Sequence, residues 1–301
     1  MKKNKSRLGF KPFVIIFILL IGLIIALQIF GASRFETILA SEGEVIDGFW
    51  AKSLIIRDEK VVTAPVTGTV TLDCSEGERI PAGTKVCVIE SGEIAKKMYN
   101  RQAGLISYAV DGLESSLNSS QLNQIDLKKF ADYQGNYKHL LSGRKIAAGE
   151  PLYRMINNFD LYLIIPARPV QAERFRNNEL IFIQENDSTE MLKARVIKVE
   201  NQLEQSYIFV ELDSFIPRWL NIRRVNLNII KNIYRGIKIP RQAVFNQPAG
   251  QGVLKVTGYN KYEFEKVVIL EGNEKEVIVK GIGIGEEIII NPADFNYGRE
   301  G

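Results

Sequence analysis

Few residues in this 301-residue chain have types and spacing that could do chemistry: Cys74 with Cys87, His139, Asp111 with Glu114, and the run Gly281-Ile282-Gly283-Ile284-Gly285. His139 stands between Lys138 and Leu140 with no second His or Cys beside it, and it is the chain's only histidine. That removes His-pair metal sites, and two cysteines cannot build a Cys-rich zinc fold. His139 reads as a surface or packing residue, and no Ser-His-acid constellation can form without a motif around it. Asp111 and Glu114, in Val110-Asp111-Gly112-Leu113-Glu114, could be paired carboxylates for acid–base work. Solvated acids at a glycine-containing strand end explain them more simply. The glycine run lacks the Gly-x-Gly-x-x-Gly spacing, and a strand-like Glu286-Glu287-Ile288-Ile289-Ile290 follows it. Without a helix N-terminus nothing there receives a pyrophosphate, so the run reads as a turn. No catalytic residue, no metal site and no cofactor is expected.

The charge balance narrows the function classes further. The chain has 39 Lys plus Arg against 35 Asp plus Glu, a formal +4. Lys2, Lys3, Lys5, Arg7 and Lys11 account for the excess, since the remaining 34 basic groups face 35 acids. A body without net positive charge is a poor nucleic-acid binder, and none is expected as a partner. The densest basic stretch, Arg218, Arg223, Arg224, Lys231, Arg235, Lys238 and Arg241, alternates with Trp219, Ile222, Val225, Leu227 and Ile229. This pattern suits the wet face of barrel strands, with anionic lipid or a partner protein as the other reading.

Those amino-terminal cations precede Phe13–Phe30, FVIIFILLIGLIIALQIF, and no charge occurs between Lys11 and Arg34. About 20 helical residues rising 1.5 Å each cross a hydrocarbon core of roughly 30 Å. A transmembrane helix over 12–32 is expected, and a signal peptide, whose apolar core is shorter, is the rival. The positive-inside bias keeps residues 1–11 in the cytoplasm and sends the body outside: a single-pass cell-membrane protein in contact with the lipid bilayer through 12–32. Cys74 and Cys87, with twelve residues between them, then stand in a disulfide-permissive space. A bridge closing so short a loop contributes about 2–3 kcal/mol if unstrained. Two buried free thiols are the alternative, and alternation leaves open whether the Cβ vectors face each other.

Beyond the apolar run, the chain changes to short β-rich stretches punctuated by Gly, Pro, Asn and Asp. Residues 61–90 read VVTAPVTGTVTLDCSEGERIPAGTKVCVIE. A related pattern returns: Ala103-Gly104-Leu105-Ile106-Ser107 loosely repeats the Ala-Pro-Val-Thr-Gly-Thr-Val theme. Arg144-Lys145-Ile146-Ala147-Ala148-Gly149-Glu150-Pro151-Leu152-Tyr153 parallels Glu78-Arg79-Ile80-Pro81-Ala82-Gly83-Thr84-Lys85-Val86-Cys87. Two halves of one unit are implied. Between them, Leu117, Leu122, Ile125, Leu127 and Phe130 in the stretch 113–141 suit one or two short helices.

This duplicated pattern resembles the lipoyl-like barrel-sandwich hybrid of the HlyD-type membrane fusion proteins, the periplasmic adaptor subunits related to adaptors of RND pumps. The order of later segments is similar too: Asp160-Leu161-Tyr162-Leu163-Ile164-Ile165-Pro166, then strand-rich sequence leading to Ile239-Pro240-Arg241-Gln242-Ala243-Val244, then 252–292. The resemblance implies a mainly β fold: transmembrane helix, lipoyl-like barrel-sandwich hybrid, β-barrel and terminal β domain, with a short helical insert. The expected divisions are a tail 1–11, helix 12–32, and linker with leading strand 33–60. They continue with the hybrid 61–156 with insert 113–141, a β-barrel 157–244, and a membrane-proximal-type β domain and tail 245–301. Family members place a long helical hairpin between the hybrid halves. Here only Ser91–Ala103 separate them, under about two nanometres even if wholly helical, so a truncated hairpin is expected. A lipoyl carrier needs a Lys at a hairpin tip; Glu90-Ser91-Gly92-Glu93 has none, and Lys96-Lys97 lie on a polar segment instead.

By resemblance, the function is that of a non-catalytic adaptor that assembles with a membrane transporter or envelope protein and forms a homo-oligomer. The missing long hairpin raises an alternative, an envelope scaffold tied to cell division or wall assembly without a pump.

Overall fold

The computed structural model describes Phe17, Leu20, Ile21 and residues 35–186, 188–248, 250–259 and 261–292. The expected tail over 1–11 and the transmembrane helix over 12–32 lie outside the described residues, apart from those three helical, exposed positions. Among the described residues no helix is long and apolar enough to cross a membrane. The chain forms two compact units, one built from 47–232 and the other from the flanking segments up to Ile46 and from Ile233 onward.

In the first unit, the internal repeat becomes a hybrid of two four-stranded antiparallel sheets. One sheet runs Lys145–Ile146, Gly68–Leu72, Lys85–Ser91, Ile94–Tyr99; the other runs Glu59–Thr63, Pro151–Ile156, Gly104–Ser107, Arg79–Ile80. Each sheet takes strands from both halves, so neither half can bury its own apolar face. Val70, Ile80, Val86, Ile89, Ile106, Ile146 and Leu152 fill the space between. The repeat is exact in its hydrogen bonds: Gly83 N donates to Asn100 O as Gly149 N does to Ala64 O, and Gly77 N donates to Ile106 O as Gly143 N does to Val70 O. Gly68 and Gly104 begin equivalent strands, and each passes a neighbouring backbone too closely for a side chain. A Cβ at Gly104 would sit 2.6 Å from the Ile156 carbonyl oxygen, and one at Gly68 would run into that of Glu90.

The connection between the halves corrects the expectation of a truncated helical hairpin. It is a β-hairpin, Lys85–Ser91 paired with Ile94–Tyr99 around Gly92 at φ +63°. Ile94, Ala95, Met98 and Tyr99 fall at helical spacing, so the local pattern alone permits a helix; pairing with Lys85–Ser91 satisfies the segment's backbone along one edge and makes it a strand.

Six strands close into the barrel of the same unit: Leu180–Glu185, Met191–Asn201, Ser206–Leu212, Leu161–Ala167, the 47–56 part of Ser41–Ile56 and the 224–232 part of Arg224–Pro240, the last pairing back to Leu180–Glu185. Alternating side chains, among them Ile55, Leu163, Ile165, Ile183, Val210 and Ile229, point into its core. Leu54 and Ile56 point the other way yet are also fully buried. The insert covers them, with Leu117, Leu127 and Phe130 packing against Leu54, Ile56, Ile164, Tyr207 and Phe209. Burial on both faces explains the unbroken apolar run Leu54-Ile55-Ile56. The insert itself is two 3₁₀ turns, Ser119–Gln121 and Leu127–Asp132, the second capped by the Asp126 side chain on Lys128 N.

The second unit contains a sheet in the order Thr37–Leu39, Glu287–Ile289, Gly250–Gly258, Phe245–Gln247, with Lys261–Lys266 also on Gly250–Gly258. Val268–Gly272 and Glu276–Lys280 form a further ladder. Ile239, Val253, Val267, Val277, Val279 and Ile288 make its core. Gly281 and Gly285 have φ of +114° and +81° around the turn that leads to Glu287–Ile289.

Candidate functional site

Where the hybrid meets the barrel, the chain buries five charged side chains. Arg57 follows the barrel strand Ser41–Ile56, Glu59 opens the hybrid strand Glu59–Thr63, and Arg154 belongs to Pro151–Ile156. Asp111 comes from the start of the insert region, and Arg223 immediately precedes Arg224–Pro240. None of the five side chains has solvent-exposed surface.

Glu59 is the hub. Its Oε1 accepts from Arg154 Nη1 at 3.0 Å, its Oε2 accepts from Arg223 Nη2 at 2.5 Å, and Arg57 Nε lies 2.9 Å from Oε1 without hydrogen-bond alignment. Asp111 takes Arg223 in a fork, Nε to Oδ2 at 2.6 Å and Nη2 to Oδ1 at 3.1 Å. Three cations face two carboxylates, so carbonyl dipoles supply the rest. Arg57 donates to the oxygens of Trp219, Leu220 and Ile222, and Arg154 donates to Leu220 O and to Asn221 Oδ1, both at 2.7 Å. These carbonyls lie where the 3₁₀ turn Pro217–Trp219 ends and its last acceptors lack partners within the turn; that of Trp219 also accepts from Ile222 N at 3.3 Å. Tyr137 closes the site: its hydroxyl accepts from Arg57 Nη2 at 3.0 Å and its ring lies 4.7 Å from the Arg154 guanidinium. Gly135, at φ +69°, lets the chain pass over Arg223, whose Cγ would lie 2.5 Å from any Cβ there.

The electrostatics follow from burial and partners. Burial lowers the Arg57 pKa, with Glu59 opposing. Burial also works against the charge of Arg223, but Glu59 and the hydrogen-bonded Asp111 more than offset it and raise the Arg223 pKa. Burial would raise the Asp111 carboxyl; the Arg223 hydrogen bonds and charge, with Leu113 N and Arg154, outweigh it and hold Asp111 below its ordinary value. Opposite charges fixed at hydrogen-bond distance without water can join two domains in one geometry. They offer no nucleophile and no free proton acceptor.

The sequence-expected residues lie elsewhere or play other parts. Asp111 and Glu114 are not solvated acids: Asp111 binds Arg223, and Glu114, 5% exposed, accepts from Asp111 N at 2.8 Å. The basic stretch is a wet face only in part: Arg218, Arg235 and Arg241 are exposed, and the others are wholly or partly covered. Arg223 is buried, Arg224 stacks 4.0 Å over Phe130 and donates to Tyr133 O, Arg218 pairs with Glu185, and Lys231 pairs with Glu179. Cys74 and Cys87 are free thiols in the hybrid core. Burial pushes Cys87 up to about 11, and burial with Glu78 and Asp73 nearby raises Cys74. His139 is exposed in the short strand Lys138–His139. Arg57, Glu59 and Arg154 were missed, because single charges in apolar strands carry no spacing signal. An arginine inside Leu152-Tyr153-Arg154-Met155-Ile156 was the available clue, since a charge in a buried strand needs a partner.

The fold and this junction define a class: a paired hybrid and barrel held together by internal ion pairs. Two family models match, an RND-related barrel-sandwich hybrid domain over residues 59–157 and an RND-related beta-barrel domain over residues 161–233. Together they cover more than half of the chain, which belongs to the RND-related membrane fusion protein, or adaptor, family. No curated protein matches the sequence. Among solved structures, ZneB from Cupriavidus metallidurans is 14% identical, covering 85% of this chain and 92% of its own with a TM-score of 0.33. MacA from Actinobacillus actinomycetemcomitans is 13% identical, covering 84% and 100%, at 0.40.

Proposed function

We propose that this chain is a membrane-anchored, non-catalytic adaptor that assembles with an exporter in the cell envelope, its short N-terminus cytoplasmic and its body outside. The observation that carries the reading is the pairing of hybrid and barrel domains behind an apolar segment, Phe13–Phe30, that five cations precede. Positive-inside bias orients such a segment with its cations in the cytoplasm. The junction supports the same reading, because an adaptor transmits position, and a rigid joint between its domains preserves it. Oligomerisation and bilayer contact through 12–32 belong to this proposal. In that oxidising setting Cys74 and Cys87 remain candidates for a bridge, which mass spectrometry without reductant would register as the missing pair of thiol hydrogens.

One observation favours a second reading, an envelope scaffold without a pump. The β-hairpin Lys85–Tyr99 replaces a helical projection, so the hybrid has no long arm. Photocrosslinkers placed on exposed body positions such as Lys280 and Ile284 in intact cells, followed by mass spectrometry, separate the two. Recovery of exporter subunits is the expected result; recovery of division or wall-assembly proteins instead supports the scaffold.

A further inference from the structure

The hybrid is open along one seam. Strand Glu59–Thr63 ends one sheet and strand Ile94–Tyr99 ends the other, and each has a paired neighbour on one side only among the described residues. A groove of about 310 Å³ lies there, with Val62 and Thr63 contributed by the first strand and Met98 and Tyr99 by the second. Edge strands leave a row of backbone N–H and C=O groups unpaired, a template for another strand. Residues Ile94, Ala95, Lys96 and Lys97 are all exposed, Ile94 by 71%.

Two more observations say what the groove takes. Tyr153, in its wall, is 0% exposed and its hydroxyl has no hydrogen-bond partner. Burial pushes that hydroxyl up to about 12, so it stays a neutral donor in want of an acceptor. Lys60 and Arg101 also line the groove, no acid does, and neither cation makes an ion pair among the described residues. A second copy of the same strand fits poorly: centred antiparallel pairing would set Lys96 against Lys97, and like charges directly opposite are destabilising.

We propose that this seam binds an extended peptide segment of a protein partner, alternating apolar and acidic, which adds a strand to the Ile94–Tyr99 edge. Its apolar side chains rest on Val62, Met98 and Met155, an oxygen accepts from the Tyr153 hydroxyl, and its carboxylates meet Lys60 and Arg101. Main-chain hydrogen bonds supply affinity in this mode and the alternate side chains supply specificity.

The test uses the full chain in detergent and a fluorescent hexapeptide of alternating valine and glutamate, compared with its backbone N-methylated form and its valine–lysine counterpart. The acidic peptide slows amide exchange across 94–99, and the N-methylated and lysine forms bind at least about tenfold more weakly, a difference of about 1.4 kcal/mol or more. Lys60→Glu with Arg101→Glu weakens binding by a similar factor. Tyr153→Phe lowers affinity without lowering the thermal midpoint, since it removes a buried hydroxyl that has no partner. Unchanged exchange at saturating peptide, equal binding of the N-methylated form, or self-association through 94–99 in place of peptide binding would each overturn the proposal.

Discussion

Glu59 touches three guanidinium groups, and the energetics of that arrangement are asymmetric. Two ions taken from water lose several kcal/mol of hydration each, and close pairing recovers it only when every partner is present. Replacing the whole set by apolar residues need not destabilise, whereas removing one member strands the others. Arg223→Ala leaves Glu59 and Asp111 buried without their shared cation, and a loss of about 3–5 kcal/mol is expected in urea unfolding monitored by tryptophan emission. Trp219, whose backbone oxygen accepts from Arg57, is a local reporter. The pH dependence follows from the depressed Asp111. Its contribution is complete above the range where an unfolded aspartate titrates, near 3.9, and is lost as pH falls through the lower folded value. Urea midpoints are therefore expected to fall in acid, and an Asp111→Asn chain to be weaker at pH 7 with a flatter acid limb. A steeper acid limb in that variant would contradict the assignment. None of these roles was legible from residue type, because Asp111 and Arg223 lie far apart in sequence and only folding brings them together.

The elements were more legible than the residues. The repeated Ile-x-Ala-Gly turns at Gly83 and Gly149 have matching hydrogen bonds because the repeat encodes the same turn twice. The unbroken run Leu54-Ile55-Ile56 marked a strand buried on both faces, but nothing local showed that the insert supplies the second cover. The insert's leucine spacing suggested helix; it forms 3₁₀ turns, since Asn118, Asp126 and Gly135 interrupt any longer run and packing on the barrel decides its shape. The connector 91–103 differs from expectation for another reason: its length limits a helix but does not exclude a strand. Gly135 ties the insert to the junction, with a positive φ and Arg223 directly above it. Gly135→Ala is expected to cost about 1–3 kcal/mol, from left-handed backbone strain and displacement of Arg223. Hydrogen exchange should locate the loosening in 126–137 first; loosening confined to other segments would contradict a clamp at this position.

For the whole molecule, the barrel draws its first strand from before the hybrid and the rest from after it, so the hybrid is inserted into the barrel's chain path. The buried junction sits where the chain crosses between them, at Arg57–Glu59 and Arg154. This placement makes hybrid and barrel one mechanical piece, which suits the proposed adaptor role. The reading as an anchored adaptor depends on the body standing outside the membrane. It is tested most directly by a Lys280→Cys chain in a Cys74→Ala, Cys87→Ala background, expressed in intact cells and treated with a membrane-impermeant maleimide. Lys280 is exposed, so its replacement is accessible to reagent. The account predicts labelling without permeabilisation, on a protein that stays with the membrane through alkaline extraction. Labelling only after the cells are opened, or release by the alkaline wash, would contradict it.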